Sequence, residues 1–394
     1  MVKFDNWVVK GIPYILVLLC AGLFLFFGNR IATRGMFVYT YDNEIITQQA
    51  RVRYLADVTD HYSAFDEWQI FVFDAEVTTR GEYRGDIVRF IQNTRGFFYE
   101  RFVRVAEPGD RIMLTLLDSG EWIFVDYVRI HNIAVLGVVF VLLLVLFGRG
   151  KGVTSVLSLL LTCLGVFLVF IPSVLSGRNI YIWSIVVCIY AIITAIYVIN
   201  GVNKKSAAAV IGCLGGVLAA GVVTFIMSLF LELTGIIQSE SRILLQIFED
   251  NPIDLNAIIF AGIIIGAVGA IMDMAVSIAS ALWELKEKMP DTTFFDLFRS
   301  GINIGKDILG SSMNTLVLAY IGSSLTMLLF LLSHFNSVLR ILNRELVLVE
   351  LLQAIVGGFG IFLTMPLTAL VCALLFAKRG TPVTRMEEEE WISR

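Results

Sequence analysis

Long, uninterrupted apolar runs constrain this chain more than any other feature of its sequence. A helix needs about 20 apolar residues to cross about 30 Å of hydrocarbon. Runs of that length cover residues 153–171, 180–199, 207–231, 257–282, 311–332 and 351–376. Two shorter runs, 12–27 and 133–147, are flanked by charges and read as short or tilted spans. Composition agrees: 57% of residues are hydrophobic and 16% charged, too apolar for a soluble domain. The expected fold is a membrane α-helical bundle of about eight transmembrane helices. The first run lacks a small-x-small cleavage site after Phe27, and Leu19 before Cys20 is too large for lipoprotein processing, so it reads as an uncleaved anchor.

Lysine sets the orientation. Lys3, Lys10, Lys151, Lys204, Lys205, Lys286, Lys288, Lys306 and Lys378 all fall on one side of an eight-span layout. By the positive-inside rule that side is the cytoplasm of a bacterial cell membrane. Arg149, Arg299, Arg379 and Arg385 agree; Arg178, Arg242, Arg340 and Arg344, in short outer loops, run against it. Both termini are then cytoplasmic. The layout is a terminus and first anchor over 1–30, an extracytoplasmic domain over 31–130, a seven-helix membrane domain over 131–378 and an acidic tail over 379–394.

The outer segment alternates in the period of a strand. Ile70, Val72, Asp74 and Glu76 interleave with Phe71, Phe73, Ala75 and Val77. Residues 110–117 and 121–128 read as a hairpin joined at Asp118-Ser119-Gly120. With 49–56 and 85–91 this makes about five short strands, a small barrel or sandwich. Its arginines, among them Arg51, Arg53, Arg80, Arg84, Arg89, Arg95, Arg101 and Arg104, are outnumbered by Asp and Glu and read as a solvated, mixed-charge surface. All five cysteines lie in apolar runs, so this domain holds no disulfide. No phosphate loop, nucleophile elbow or metal-spaced His/Cys cluster is present, so no enzyme, cofactor or metal site is expected, and no nucleic-acid partner. The outer loops 235–255 and 334–349 are expected to carry short amphipathic helices.

The later spans carry polar stripes. Gly262, Gly266, Gly269, Asp273, Ser277 and Ser280 recur at steps of three or four, which places them on one helix face. Asp273 lies eleven residues before Glu284, about 16 Å along a helix and near the middle of a bilayer. An acid at that depth costs on the order of 2.5–3.5 kcal/mol even on lenient insertion scales. Asp273 is therefore expected to face the bundle interior and to act as a proton relay, with Ser277, Ser280, Asn314 and Thr315 as the polar membrane core around it. The next run repeats the pattern with Asp307, Ser311, Asn314 or Thr315, Gly322 and Thr326, and the last with Glu350, Gln353, Gly357, Gly360, Thr364 and Thr368. Small residues at such spacings are also ordinary packing material, and Gly262, Gly266, Gly269, Gly357 and Gly360 are read as helix-packing positions. Asp307 and Glu350 lie near span ends, where interfacial water accounts for them.

Gly266-Ala-Val-Gly269-Ala-Ile-Met-Asp273-Met-Ala-Val-Ser277-Ile-Ala-Ser280, then Glu284-Leu285, closely resembles the YibE/F family of bacterial membrane proteins. So do Gly305-Lys306-Asp307-Ile-Leu-Gly310, Asn314-Thr315-Leu and Ala319-Tyr320-Ile-Gly322. The resemblance implies a multipass inner-membrane protein with an outer domain, and no particular activity. A looser similarity, through Gly269, Asp273, Glu284, Lys286, Glu287, Gly301 and Thr315, is to transporters of the resistance–nodulation–division type, including SecD and SecF. The departure is two extra spans between outer domain and core. By that analogy a homodimer or a paralogous YibF-like membrane partner is expected beside the lipid bilayer. The leading functional expectation is a transport-related or proton-coupled membrane protein using Asp273. The alternative is a scaffold or assembly factor whose outer domain binds a partner.

Overall fold

The computed structural model describes residues 2–36, 46–62, 67–93, 104–117, 119–237, 239–248, 252–334 and 337–377. The acidic tail, Arg95 and Arg101 lie outside these residues. The chain divides into two compact units, one of residues 1–38 with 147–394, the other of residues 39–146.

The smaller unit is built on a closed five-stranded barrel of β1 (Ile46–Tyr62), β2 (Glu67–Val77), β3 (Ile87–Asn93), β4 (Arg111–Leu116) and β5 (Trp122–Tyr127), ordered β1-β2-β3-β5-β4. All pairs are antiparallel except β3 with β5. Closure leaves no free sheet edge. Val52, Phe73, Ala75, Phe90, Ile112 and Leu114 fill the inside, and Phe73 stacks on Phe90 at 5.3 Å between ring centres. β1 outruns the expected 49–56 because two register shifts, between Val52 and Tyr54 and between Leu55 and Asp57, interrupt its alternation.

Four arginines of this unit are paired rather than gathered: Arg53 with Glu76, Arg89 with Asp74, Arg104 with Asp110 and Arg129 with Asp126. Asp74 is buried, and Arg89 donates to it twice, at 2.8 and 3.1 Å. The Arg89 hydrogen bonds, then that of Tyr54, hold the Asp74 carboxyl below its ordinary range. The buried Gln92 amide ties down the chain before β4, donating to Arg104 O and accepting from Ala106 N, both at 2.9 Å.

The larger unit is helical, with α1 (Val2–Ala32), α2 (Ile130–Gly165), a π-turn over Val166–Phe170, α3 (Ile171–Leu175), α4 (Ile180–Asn200), α5 (Lys204–Phe230), α6 (Ser239–Ile247), α7 (Leu255–Lys288), α8 (Phe294–Ser323), α9 (Leu325–His334), α10 (Val338–Leu342) and α11 (Glu345–Phe376). The first part of α2 belongs to the smaller unit. The π-turn precedes Pro172, whose ring excludes the ordinary α-helical bond to the turn before it. α1 packs on α4 through a Phe24–Tyr190 stack at 4.3 Å, and the Ser176 hydroxyl donates to Ala32 O.

Among the described residues six helices are long and apolar enough to cross a membrane, seven if α8 and α9 form one span bent by 61°. This differs from about eight for a local reason. The expected runs 133–147 and 153–171 fall in one stretch, Ile130–Leu175, interrupted at Arg149, whose backbone (φ 49°, ψ −128°) is not helical. The run expected over 311–332 is broken at Ser324, and its first half continues the amphipathic segment from Phe294 as a single helix. Short helices occupy both of the loops expected to carry them, as α6 and α10. The core lies where α5, α7, α8 and α11 pack together, with α4 on α7.

Candidate functional site

α7 begins at an Asp254 cap, whose carboxylate accepts from Ala257 N at 3.1 Å, and ends on Lys286 and Lys288, which suit the negative end of a helix. Its two faces are chemically opposite. Ala267, Ile271, Met274, Ala275, Ile278 and Leu282 are buried in the core. Gly262, Gly266, Gly269, Asp273 and Ser277 are exposed, and Ser280 is half-buried. The stripe exists as the spacing required, but it is turned away from this bundle. Against expectation, Asp273 is exposed on the single chain rather than turned into its core. Interdigitation decided the matter: Ile271 of α7 fits against Gly360 of α11, and a polar stripe offers no volume to fill that space.

Those glycines are Gly357 and Gly360. A Cβ at Gly357 would lie 2.6 Å from Leu316 Cδ2, and one at Gly360 2.6 Å from Ile271 Cδ1. Both are buried helix-packing positions. Gly262 and Gly269 differ, since a Cβ there would meet nothing within 4 Å. Gly266 is intermediate: its Cβ would lie 3.0 Å from the Gln353 amide nitrogen and 3.1 Å from the Tyr320 hydroxyl. On α11, Thr364 and Thr368 are buried, and Thr364 donates to Gly360 O at 2.7 Å. Gly212 and Gly216 of α5 receive these two threonines. They went unmarked in the sequence, although Ala209, Gly212, Cys213, Gly216 and Ala220 carry the same small-residue spacing.

α8 runs antiparallel to α7. Gly301 meets Leu282, Gly305 meets Ile278, and Tyr320 meets Gly266. Between these contacts Asp273 falls level with the Gly310–Met313 turn, adjoining Asn314 and Thr315. Level is not contact, however. Asn314 and Thr315 are exposed, as are Asp307, Ser311, Gly322 and Thr326. The Thr315 hydroxyl donates to Ser311 O at 2.9 Å and that of Ser311 to Ile308 O at 2.8 Å, so both are satisfied by their own helix. The three polar stripes therefore do not converge on one interior: that of α11 is inside, and those of α7 and α8 face outward. Among the described residues the Asp273 carboxylate has no hydrogen-bond or ion-pair partner.

The chemistry available is narrow. Among the described residues no three His, Cys, Asp or Glu side chains gather where a metal ion could sit, and all five cysteines are free. What the site offers is one carboxyl group midway along an apolar helix, flanked by glycines and a serine, on a face its own bundle leaves uncovered.

The family model described as YibE/F-like protein matches residues 136–378, more than half of the chain. Neither curated proteins nor solved structures give a match.

Proposed function

This chain belongs to the YibE/F-like family, and we propose that it is a multipass cell-membrane protein whose transport-related activity is coupled to protonation of Asp273. In this reading the chain makes eight spans: the stretch Ile130–Leu175 crosses twice, divided at Arg149, and α8 with α9 crosses once as a broken span. Both termini are cytoplasmic and the barrel is extracytoplasmic, which the placement of every lysine on one side supports. The role is non-enzymatic.

The observation that carries the proposal is the position of Asp273. It sits midway along α7, unpartnered, on an exposed stripe. Bare hydrocarbon against a carboxylate is costly. The stripe must therefore be covered by water, or by a second bundle that shares the acid. A second copy, or a paralogous YibF-like chain, fits that need, and the open space beside Gly269 is what close approach of another helix requires. A group that alternates between charged and neutral forms at such a seam can pass a proton.

The test is a complementation assay for whatever phenotype a deletion gives, scored beside membrane abundance. Asp273→Asn keeps the shape but cannot titrate; it is expected to reach normal abundance and lose function, while Asp273→Glu keeps part of it. Full function of Asp273→Asn at normal abundance would remove the proton-relay reading.

The rival reading is a scaffold whose barrel and outward stripes bind partners. One observation favours it: the stripes of α7 and α8 are turned out, as a docking surface would be. In that case Asp273→Asn is functionally near neutral, and a bulky replacement of Gly269 is the damaging change.

A further inference from the structure

A second unpartnered acid lies near the other end of α11 from Phe376. Glu350 is half-buried, and among the described residues its carboxylate makes no hydrogen bond or ion pair. Glu345, little more than one turn earlier, shows what a structural acid here looks like. It accepts from Thr234 N at 2.7 Å, from the Thr234 hydroxyl at 2.6 Å and from Gly235 N at 2.6 Å, and so ties α11 to the loop after α5. Glu350 has no such task.

Two cavities flank it. One, of 270 Å³, is walled by Met327, Leu328, Leu331 and Val347, with Ser323 and Ser324 beside the acid. The other, of 250 Å³, is walled by Ile258, Ile259 and Ile263, with Ser241 and Gln353 as its polar edge. Leu346 borders both. The first cavity lies at the 61° break between α8 and α9. α8 ends there, and the last carbonyls of a helix carry partial negative charge. Broken helices whose ends line a cavity are how membrane proteins place charge beside a solute. The Tyr320 hydroxyl, one turn before the break, is buried beside the Gln353 amide.

A carboxylate and a helix C-terminus both select a cation. The cavities exceed any bare ion, and one carboxylate among aliphatic walls is a poor cage for a metal. We propose that Glu350 and its two cavities bind an amphiphilic cation, a protonated amine or quaternary ammonium with a compact apolar body. The ammonium sits at Glu350 and the body against Met327, Leu331 and Leu346. The proposal goes beyond the Asp273 reading and does not rest on it, since Asp273 borders neither cavity.

The experiment uses the full chain in phosphatidylglycerol nanodiscs, which present no ammonium headgroup. The probe is benzyltrimethylammonium, with neopentylbenzene as its neutral isostere, both by calorimetric titration. Saturable binding of the cation alone is expected, weakened at least about tenfold by E350Q, a change that leaves shape intact but removes the charge attraction. Leu346→Trp, which puts a bulkier side chain at the border of both cavities, is expected to weaken it likewise even if E350Q folds poorly. Asp273→Asn is expected to bind as wild type, which separates failure here from failure of the relay. Equal binding of neopentylbenzene, unchanged binding by well-folded E350Q, or no saturable binding by the wild type overturns the site. Displacement of the probe by added phosphatidylethanolamine would overturn the free amine as ligand and make a lipid headgroup the occupant.

Discussion

Gly301→Ala set against Gly269→Ala separates the face this bundle uses from the face it leaves open. At Gly301 a new Cβ would lie 2.7 Å from Ala369 Cβ, 2.9 Å from Leu282 Cδ1 and 3.2 Å from Ala369 Cα. Two of these atoms are fixed to the α11 backbone and cannot rotate away, so α8 and α11 must part by about 1 Å to restore the usual 3.5–4.0 Å carbon contact. Overpacking of this kind costs about 1–3 kcal/mol. The gain in helix propensity from Gly to Ala offsets about 1 kcal/mol of it. The net expectation for Gly301→Ala is a loss of about 0–2 kcal/mol. At Gly269 the Cβ meets nothing within 4 Å, so only the propensity gain of about 1 kcal/mol remains. The two variants should thus differ by about 1–3 kcal/mol in the purified single chain, read as thermal midpoints in detergent. Gly269→Ala falling below Gly301→Ala would mean that the exposed stripe is packed within this chain, and the reasoning about faces would fail.

Other outcomes follow from the barrel and the layout. Residues 34–128 expressed alone should fold as a β-rich fragment indifferent to reductant; a helical circular dichroism spectrum would refute this. The Asp74 carboxyl is lowered in the fold by Arg89 and Tyr54, so its contribution is present above the unfolded value of about 3.9 and is lost as pH falls through the lower folded value. Acid titration of the fragment should show this loss, and Asp74→Asn should flatten it; an unchanged acid limb in the variant would assign it to other groups. A tag inserted at Glu82, in an exposed turn of the barrel, should be labelled on intact cells, and one beside Lys204 should not. Labelling at Lys204 would overturn the lysine argument.

Much of this architecture was legible in the sequence because its signals are local. Apolar length marked the helices, and alternation at 70–77 with the 110–128 hairpin marked a small barrel or sandwich, which the structure closes as a barrel. The bulges of β1 were not legible, since a register shift leaves no trace in composition. Neither was the break at Ser324, where Gly322, Ser323 and Ser324 sit in an otherwise apolar run. The stripe of α7 was read correctly as a face, but its direction was not. An acid that avoids lipid must be covered by something, but the cover need not come from the same chain, and packing of Ile271 against Gly360 put the other face inside. Glu350 was dismissed as interfacial because distance along a helix cannot reveal two cavities beside it.

The central claim is that Asp273 exchanges a proton within the membrane. Infrared difference spectroscopy of the full chain in a bilayer, with isotope-labelled aspartate, reads the carboxyl signal directly as pH is varied. The account predicts a pH-dependent carboxyl band that disappears in Asp273→Asn and persists in Asp307→Asn. A spectrum in which the Asp273 contribution stays in one protonation state across the whole range where the protein is folded would contradict it.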